Sequence, residues 1–237
     1  MEQNYQYSGK VTPQGIVLGL VAGCAAAAVL CIPYAYITIF IPLVFFNVVA
    51  TIILGMIAGM CAGWGGRKGN MQSAAMYVVV GLIVGLVAEY LNWVLWVFVF
   101  SGHEAVVLSP MHLLNIARVV MEEGTWGMTS GDNVAGLELA CVWIAEGLMI
   151  VGGSIYMARG GLTSYICCPD CTVWFKDPTK TMSYEMPEDL DKVVHDLKGL
   201  NLKTLHHLTP LTGQKPASLE FDIFFCPACS TFGCFDL

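Results

Sequence analysis

Four stretches of this chain, roughly 14–36, 40–64, 71–100 and 133–158, are apolar and almost free of charge. Each is long enough to cross a hydrocarbon core, which takes about 20 residues. Hydrophobic residues make up 56 % of the chain and charged residues only 12 %, against about a quarter charged in an ordinary soluble domain. The bilayer is therefore the solvent that fits this composition. Thr12-Pro13 reads as a helix start, because proline suits the first helical turn. Pro33 and Pro42 bracket a short apolar turn that makes the first two spans an antiparallel hairpin.

Charge divides the chain. Residues 1–158 hold Lys10, Arg67, Lys68 and Arg118 as their cations, and Arg159 begins a lysine-bearing remainder. Lys10, the Arg67-Lys68 pair and Arg159 fall on one side of a four-span topology, with Arg118 on the other. The positive-inside rule then places both termini in the cytoplasm. The first apolar run lacks a convincing cleavage site after it and reads as retained rather than as a signal peptide.

Gly15, Gly19 and Gly23 in the first span, and Gly55, Gly59 and Gly63 in the second, form stripes at four-residue spacing. Such stripes let helices approach closely, within the bundle or between copies in a homo-oligomer. Gly81 and Gly85 repeat the pattern in the third span, where Glu89 takes the next position, and GIVLGLVAG against GLIVGLVAE hints at a duplicated hairpin. Glu89, Glu138 and Glu146 fall within predicted spans. A charge at the bilayer centre costs at least ~2.5 kcal/mol, so each needs a partner, a proton or water. Asn47 and Asn92 are hydrogen-bond partners suggested for Glu89 and Glu146, with a protonated carboxyl bonded across helices to Asn or Trp as the structural alternative, and the four residues together form a candidate intramembrane polar site. Between the third and fourth spans, Ser109-Pro110 opens an amphipathic helix over about 110–123, expected to lie on the outer surface as a lid. Met111, Leu114, Val119 and Met121 offer its apolar surface. His103, Glu104 and His112 are of zinc-binding type, but their spacing matches no tight ligand motif.

Two knuckles, Cys168-Pro169-Asp170-Cys171 and Cys226-Pro227-Ala228-Cys229, mark the remaining stretch. Each turn brings two thiolates to one side of a loop, and two such turns complete a tetrahedral structural zinc site with no open position for catalysis. Strands are predicted at Leu219–Phe225, Thr172–Phe175 and Ser230–Phe235, and short helices at Pro187–Leu200 and Asn201–Leu208. The result is a zinc ribbon with a helical insertion. Cys167 and Cys234 are extra thiols; Cys167 competes with Cys168 as a ligand, and the knuckle spacing favours Cys168. His195, His206 and His207 lie in the insertion, on what reads as an amphipathic surface. Residues 160–237 carry six lysines against ten carboxylates, about −4, which argues against nucleic-acid binding.

The fold expected is thus a membrane all-α four-helix transmembrane bundle, residues 1–160, followed by a small cytosolic α+β zinc-ribbon-like domain, residues 161–237. Tyr7-Ser8-Gly9-Lys10-Val11, the Glu122–Trp126 segment and the two knuckles give it a resemblance. The chain resembles uncharacterised bacterial four-span membrane proteins with a C-terminal zinc-ribbon-like tail. That likeness implies a location in the bacterial inner membrane and transfers no catalytic residue. No Ser/His pair, zinc-protease helix motif or phosphate-binding glycine loop occurs in the sequence, so no catalytic role is assigned. Two functions remain. One is a membrane anchor or adaptor that presents the zinc-stabilised tail to a protein partner; the other is a small transporter, channel or sensor using the intramembrane carboxylates.

Overall fold

The computed structural model describes residues 7–41, 44–124, 134–187, 189–198, 208–211, 218–230 and 233–236. It divides into two compact units, residues 9–163 and a second unit formed by residues 164–237 with the N-terminal segment up to Ser8. In the second unit the Tyr7 hydroxyl donates to the Tyr165 carbonyl at 2.9 Å.

The first unit is helical: α1 Pro13–Phe40, α2 Val44–Lys68, α3 Ala74–Phe100, α4 Pro110–Glu123 and α5 Gly136–Thr163. All but α4 are long and apolar enough to cross a membrane. α1 packs on α2 and α3, and α5 packs on the same two helices from the other side. The glycine stripes explain how. At Gly59 an added Cβ would sit 2.3 Å from the Ser154 carbonyl oxygen, and at Gly55 it would sit 2.5 Å from that of Ile150. Backbones of α2 and α5 therefore touch. Gly23 instead faces Val84 of α3 and Ala62 of α2, while Gly81 and Gly85 face Ile155 and Val151 of α5. The stripes that suggested contact with a second copy are thus occupied inside the bundle. In lipid, where no hydrophobic force draws helices together, this close packing and interhelical hydrogen bonds supply the cohesion. Buried Ser154 provides one such bond, donating to the Gly81 carbonyl at 2.9 Å.

Helix ends follow local chemistry. Thr12 caps α1, its hydroxyl accepting from Gly15 N at 3.3 Å and donating to Gly69 O at 2.6 Å. α2 closes with Met71 N bonded to Gly66 O and Asn70 N to Arg67 O, with Asn70 at φ 56°. α3 closes in the same way, His103 N to Phe98 O and Gly102 N to Val99 O, with Gly102 at φ 70°. Both are Schellman ends, in which a left-handed residue returns amides to the last carbonyls. The start of α1, the end of α2 and the end of α5 meet at one end of the bundle, where the Arg67 guanidinium donates to the Gly161 carbonyl.

Pro33 corrects an expectation. It lies inside α1, which continues to Phe40, and α2 begins at Val44. A proline in a membrane helix is tolerated when neighbouring helices and local backbone adjustment accommodate the lost hydrogen bond. The four long helices also run beyond the predicted spans at their C-terminal ends, except α3, which ends at Phe100 as expected. α4 forms over the predicted range, with the Ser109 hydroxyl accepting from His112 N. Leu113 and Val120 are its buried residues, and Leu113 packs with Val94 and Val97 of α3. Met111, Leu114 and Val119 remain exposed.

The second unit contains β1 Ile166–Cys167, β2 Trp174–Phe175, β3 Lys180–Glu185, α6 Leu190–Lys198, β4 Ser218–Phe225 and β5 Gly233–Asp236. β1 pairs antiparallel with β2, and β3, β4 and β5 form an antiparallel sheet in that order. β1 and β3 are strands that the sequence reading missed. α6 covers the N-terminal part of the predicted insertion, and residues 201–207, including His206 and His207, lie outside the described residues. A small core joins Tyr184, Val193, Leu219 and Phe221.

Candidate functional site

Each knuckle is the turn of a hairpin, the first between β1 and β2 and the second between β4 and β5. Their local geometry is the same. Thr172 N bonds to Cys168 O and Ser230 N to Cys226 O, each at 2.9 Å, and Thr172 and Ser230 adopt φ 57° and 55°. The left-handed residue after the second cysteine reverses the chain and turns both sulfurs inward.

The two turns bring together the four residues expected. Cys168 and Cys229 sulfurs lie 3.6 Å apart, Cys171 and Cys226 3.2 Å, and Cys171 and Cys229 3.9 Å. All four lie within 4.8 Å of one another, and the thiols are free rather than disulfide-bonded. This set can hold a metal ion. A tetrahedron with metal–sulfur bonds of about 2.3 Å has sulfur–sulfur edges near 3.8 Å, close to the spacing seen. Hydrogen bonding to Cys226 pushes the Cys171 thiol up to about 12, a proton that a bound metal would displace. Cys167 is buried outside this cluster, with its thiol 3.7 Å from the Cys168 carbonyl. The Cys234 side chain lies outside the described residues.

Within the bundle, Glu89, Glu146, Asn47 and Asn92 line one cavity of about 130 Å³. They come from three helices, Asn47 on α2, Glu89 and Asn92 on α3, and Glu146 on α5. Tyr34 of α1 completes the wall, held by a 2.8 Å hydrogen bond to the Thr51 hydroxyl, which itself donates to Asn47 O. The Glu89 carboxyl lies against Gly147 of α5, where an added Cβ would meet the carboxyl carbon at an ordinary 3.6 Å contact.

Of the expected partner types, asparagine or tryptophan, a tryptophan is found, on the same helix rather than across helices. Glu89 accepts from Trp93 Nε1 at 3.0 Å on its own helix, and its Oε2 is buried without a hydrogen-bond partner. The Oδ1 atoms of Asn47 and Asn92 are likewise buried and unpartnered, on residues only 7 % and 9 % exposed. The asparagines therefore face the same cavity without bonding to Glu89 through those oxygens. Glu138 does not join them; it is exposed in the first turn of α5, where the helix dipole favours a carboxylate.

Sequence reading missed the aromatic wall of this cavity. Trp93, Trp96 and Phe100 descend one side of α3, and Trp143 faces them from α5. Trp93 and Trp143 meet edge to face at 4.9 Å, and Trp96 stacks on Phe100 at 4.7 Å. Their spacing beside Asn92 and Glu146 was the available signal. The other zinc-type residues do not cluster: His103 Nε2 lies 2.8 Å from the Tyr36 hydroxyl, His195 is exposed on α6, and the four cysteines are the metal-binding group found among the described residues. Set against protein-family models, curated proteins and solved structures, the chain matches none of them.

Proposed function

We propose that this chain is a multi-pass inner-membrane protein whose bundle captures a small cation in the Glu89–Glu146 cavity, as a transporter or sensor. One observation carries the reading. Asn47, Asn92 and Glu89, each with a buried side-chain oxygen that has no hydrogen-bond partner, line one cavity. A buried acceptor left unsatisfied costs about 1–3 kcal/mol, and intramembrane ionisable groups commonly mark solute or proton paths. A positively charged guest meets both demands.

The orientation follows from charge. Lys10 precedes α1, Arg67 and Lys68 end α2, and Arg159 lies near the end of α5. The positive-inside rule makes that end cytoplasmic, together with both termini. The cavity lies toward the opposite half, since Tyr34 and Thr38 are near the end of α1 and Asn47 near the start of α2. The cation accordingly enters from the extracytoplasmic side. The tail is a cytoplasmic module whose metal is structural zinc, the ion that thiolate tetrahedra in such knuckles commonly hold.

Flux in vesicles reconstituted with the full-length protein tests the reading. Glu89→Gln and Glu146→Gln are expected to abolish cation uptake; unaltered uptake would refute a role for the cavity. A second reading, the anchor or adaptor, is favoured by the tail's standing as a compact unit with its own core and cysteine cluster. It predicts a stoichiometric protein partner that co-purifies with wild type and is lost from a Cys168→Ser, Cys226→Ser variant whose bundle remains inserted.

A further inference from the structure

We infer that the cavity selects a small organic cation bearing N–H groups, an alkylammonium or guanidinium, in preference to a bare metal ion or a quaternary ammonium. The inference rests on the cation-site reading above and names the class of guest. Four features of the cavity converge on it.

The first is the matching of donors to acceptors. The unpartnered atoms, Asn47 Oδ1, Asn92 Oδ1 and Glu89 Oε2, are all oxygens. A primary ammonium carries three donors and no acceptor, so its N–H groups are of the kind that these oxygens lack. A quaternary ammonium offers none and would leave all three oxygens buried and unsatisfied. Charge is the second feature: the described lining contains two carboxylates, Glu89 and Glu146, and no basic side chain. A monocation is the guest whose charge these carboxylates complement.

The third feature is the wall. Trp93, Trp96, Trp143 and Phe100 present aromatic rings beside the carboxylates. An organic cation over an aromatic face is attracted by the ring quadrupole, and its alkyl or planar body has apolar surface to cover. A sodium ion can draw on the same oxygens but leaves this aromatic surface uncovered. Size is the fourth. An apolar protein cavity of about 150 Å³ takes a benzene-sized guest, so about 130 Å³ suits a cation of a few heavy atoms.

The test uses full-length protein in detergent, titrated at constant pH and ionic strength with methylammonium, guanidinium, tetramethylammonium and sodium. Tryptophan fluorescence is the readout, since three of the six tryptophans line the cavity. Methylammonium or guanidinium is expected to saturate, with tetramethylammonium and sodium at least about tenfold weaker, because one lost hydrogen bond of about 1.4 kcal/mol is tenfold in affinity. Glu89→Gln is expected to remove the saturable response. Should sodium or tetramethylammonium bind as well as methylammonium, the selectivity inference fails while the cation site stands. Should no cation saturate, both fail. The wild-type series decides the matter even where Glu89→Gln does not fold, and a folded Glu89→Gln protein that binds methylammonium normally would also overturn the inference.

Discussion

At Gly59 the bundle closes so tightly that one added carbon would sit 2.3 Å from the Ser154 carbonyl of α5, whereas in the tail two hairpins meet through four sulfur atoms within 4.8 Å of one another. These contacts hold their elements together by different means. Helices in lipid gain nothing from hiding apolar side chains from one another, so cohesion comes from backbone approach and hydrogen bonds such as Ser154 to Gly81. In the tail one small core cluster joins four buried residues, Tyr184, Val193, Leu219 and Phe221. Burying each is worth about 1.5–3 kcal/mol, little against the entropy of ordering a domain of this size. A metal ion held by the four cysteines would close the 54 residues between the knuckles and supply what the core lacks.

The sharpest way to separate the two regions is to remove the metal. Chelation, or Cys171→Ser, is expected to unfold the tail, since structural zinc contributes about 10–16 kcal/mol in small domains. Limited proteolysis of the full-length protein should then cleave after Thr163 while the bundle stays resistant. A tail that remains protease-resistant would show that its apolar core suffices.

The converse experiment attacks the bundle. Gly59→Leu places side-chain atoms where α5 backbone now lies, and overpacking of this kind costs about 1–3 kcal/mol or more. Thermal unfolding in detergent should register it, while tail metal content is unchanged. Gly152→Ala is the matched control: an added Cβ there meets nothing within 4 Å, so stability should stay within about 1 kcal/mol of wild type. Equal effects of the two substitutions would contradict the account of the stripes.

A smaller effect is expected at the entrance to α1. Thr12→Ala removes a cap on Gly15 N and a bond to Gly69 O, and N-cap losses are typically about 1 kcal/mol. Urea or thermal melts should detect it in the bundle alone.

How much of this was legible in sequence differs between the two regions. The cysteine site could be read in full, because each knuckle is local and the chemistry of Cys168, Cys171, Cys226 and Cys229 leaves little else for the pairs to do. β3 was not visible, because Lys180–Glu185 acquires its strand character from β4, some forty residues away along the chain. In the bundle the existence of the spans was plain, but Pro33 was misread as a boundary, since in lipid the backbone has no water to turn toward and the helix carries on. Glu89, Glu146, Asn47 and Asn92 were each conspicuous as polar residues in apolar runs. Their meeting depends on how three helices are rotated, which is fixed by where Gly55, Gly59, Gly81 and Gly85 let α5 approach. Trp93, Trp96 and Trp143 were lost among the other apolar residues, and only the assembled cavity shows that they wall it.

The measurement closest to the central claim, that the cation site belongs to the bundle and is held independently of the metal-stapled tail, is equilibrium dialysis of radiolabelled methylammonium against the full-length protein in detergent, before and after chelation. The account predicts saturable binding whose affinity is unchanged when the tail loses its metal. Absence of saturable binding before chelation, or its disappearance afterwards, would contradict it.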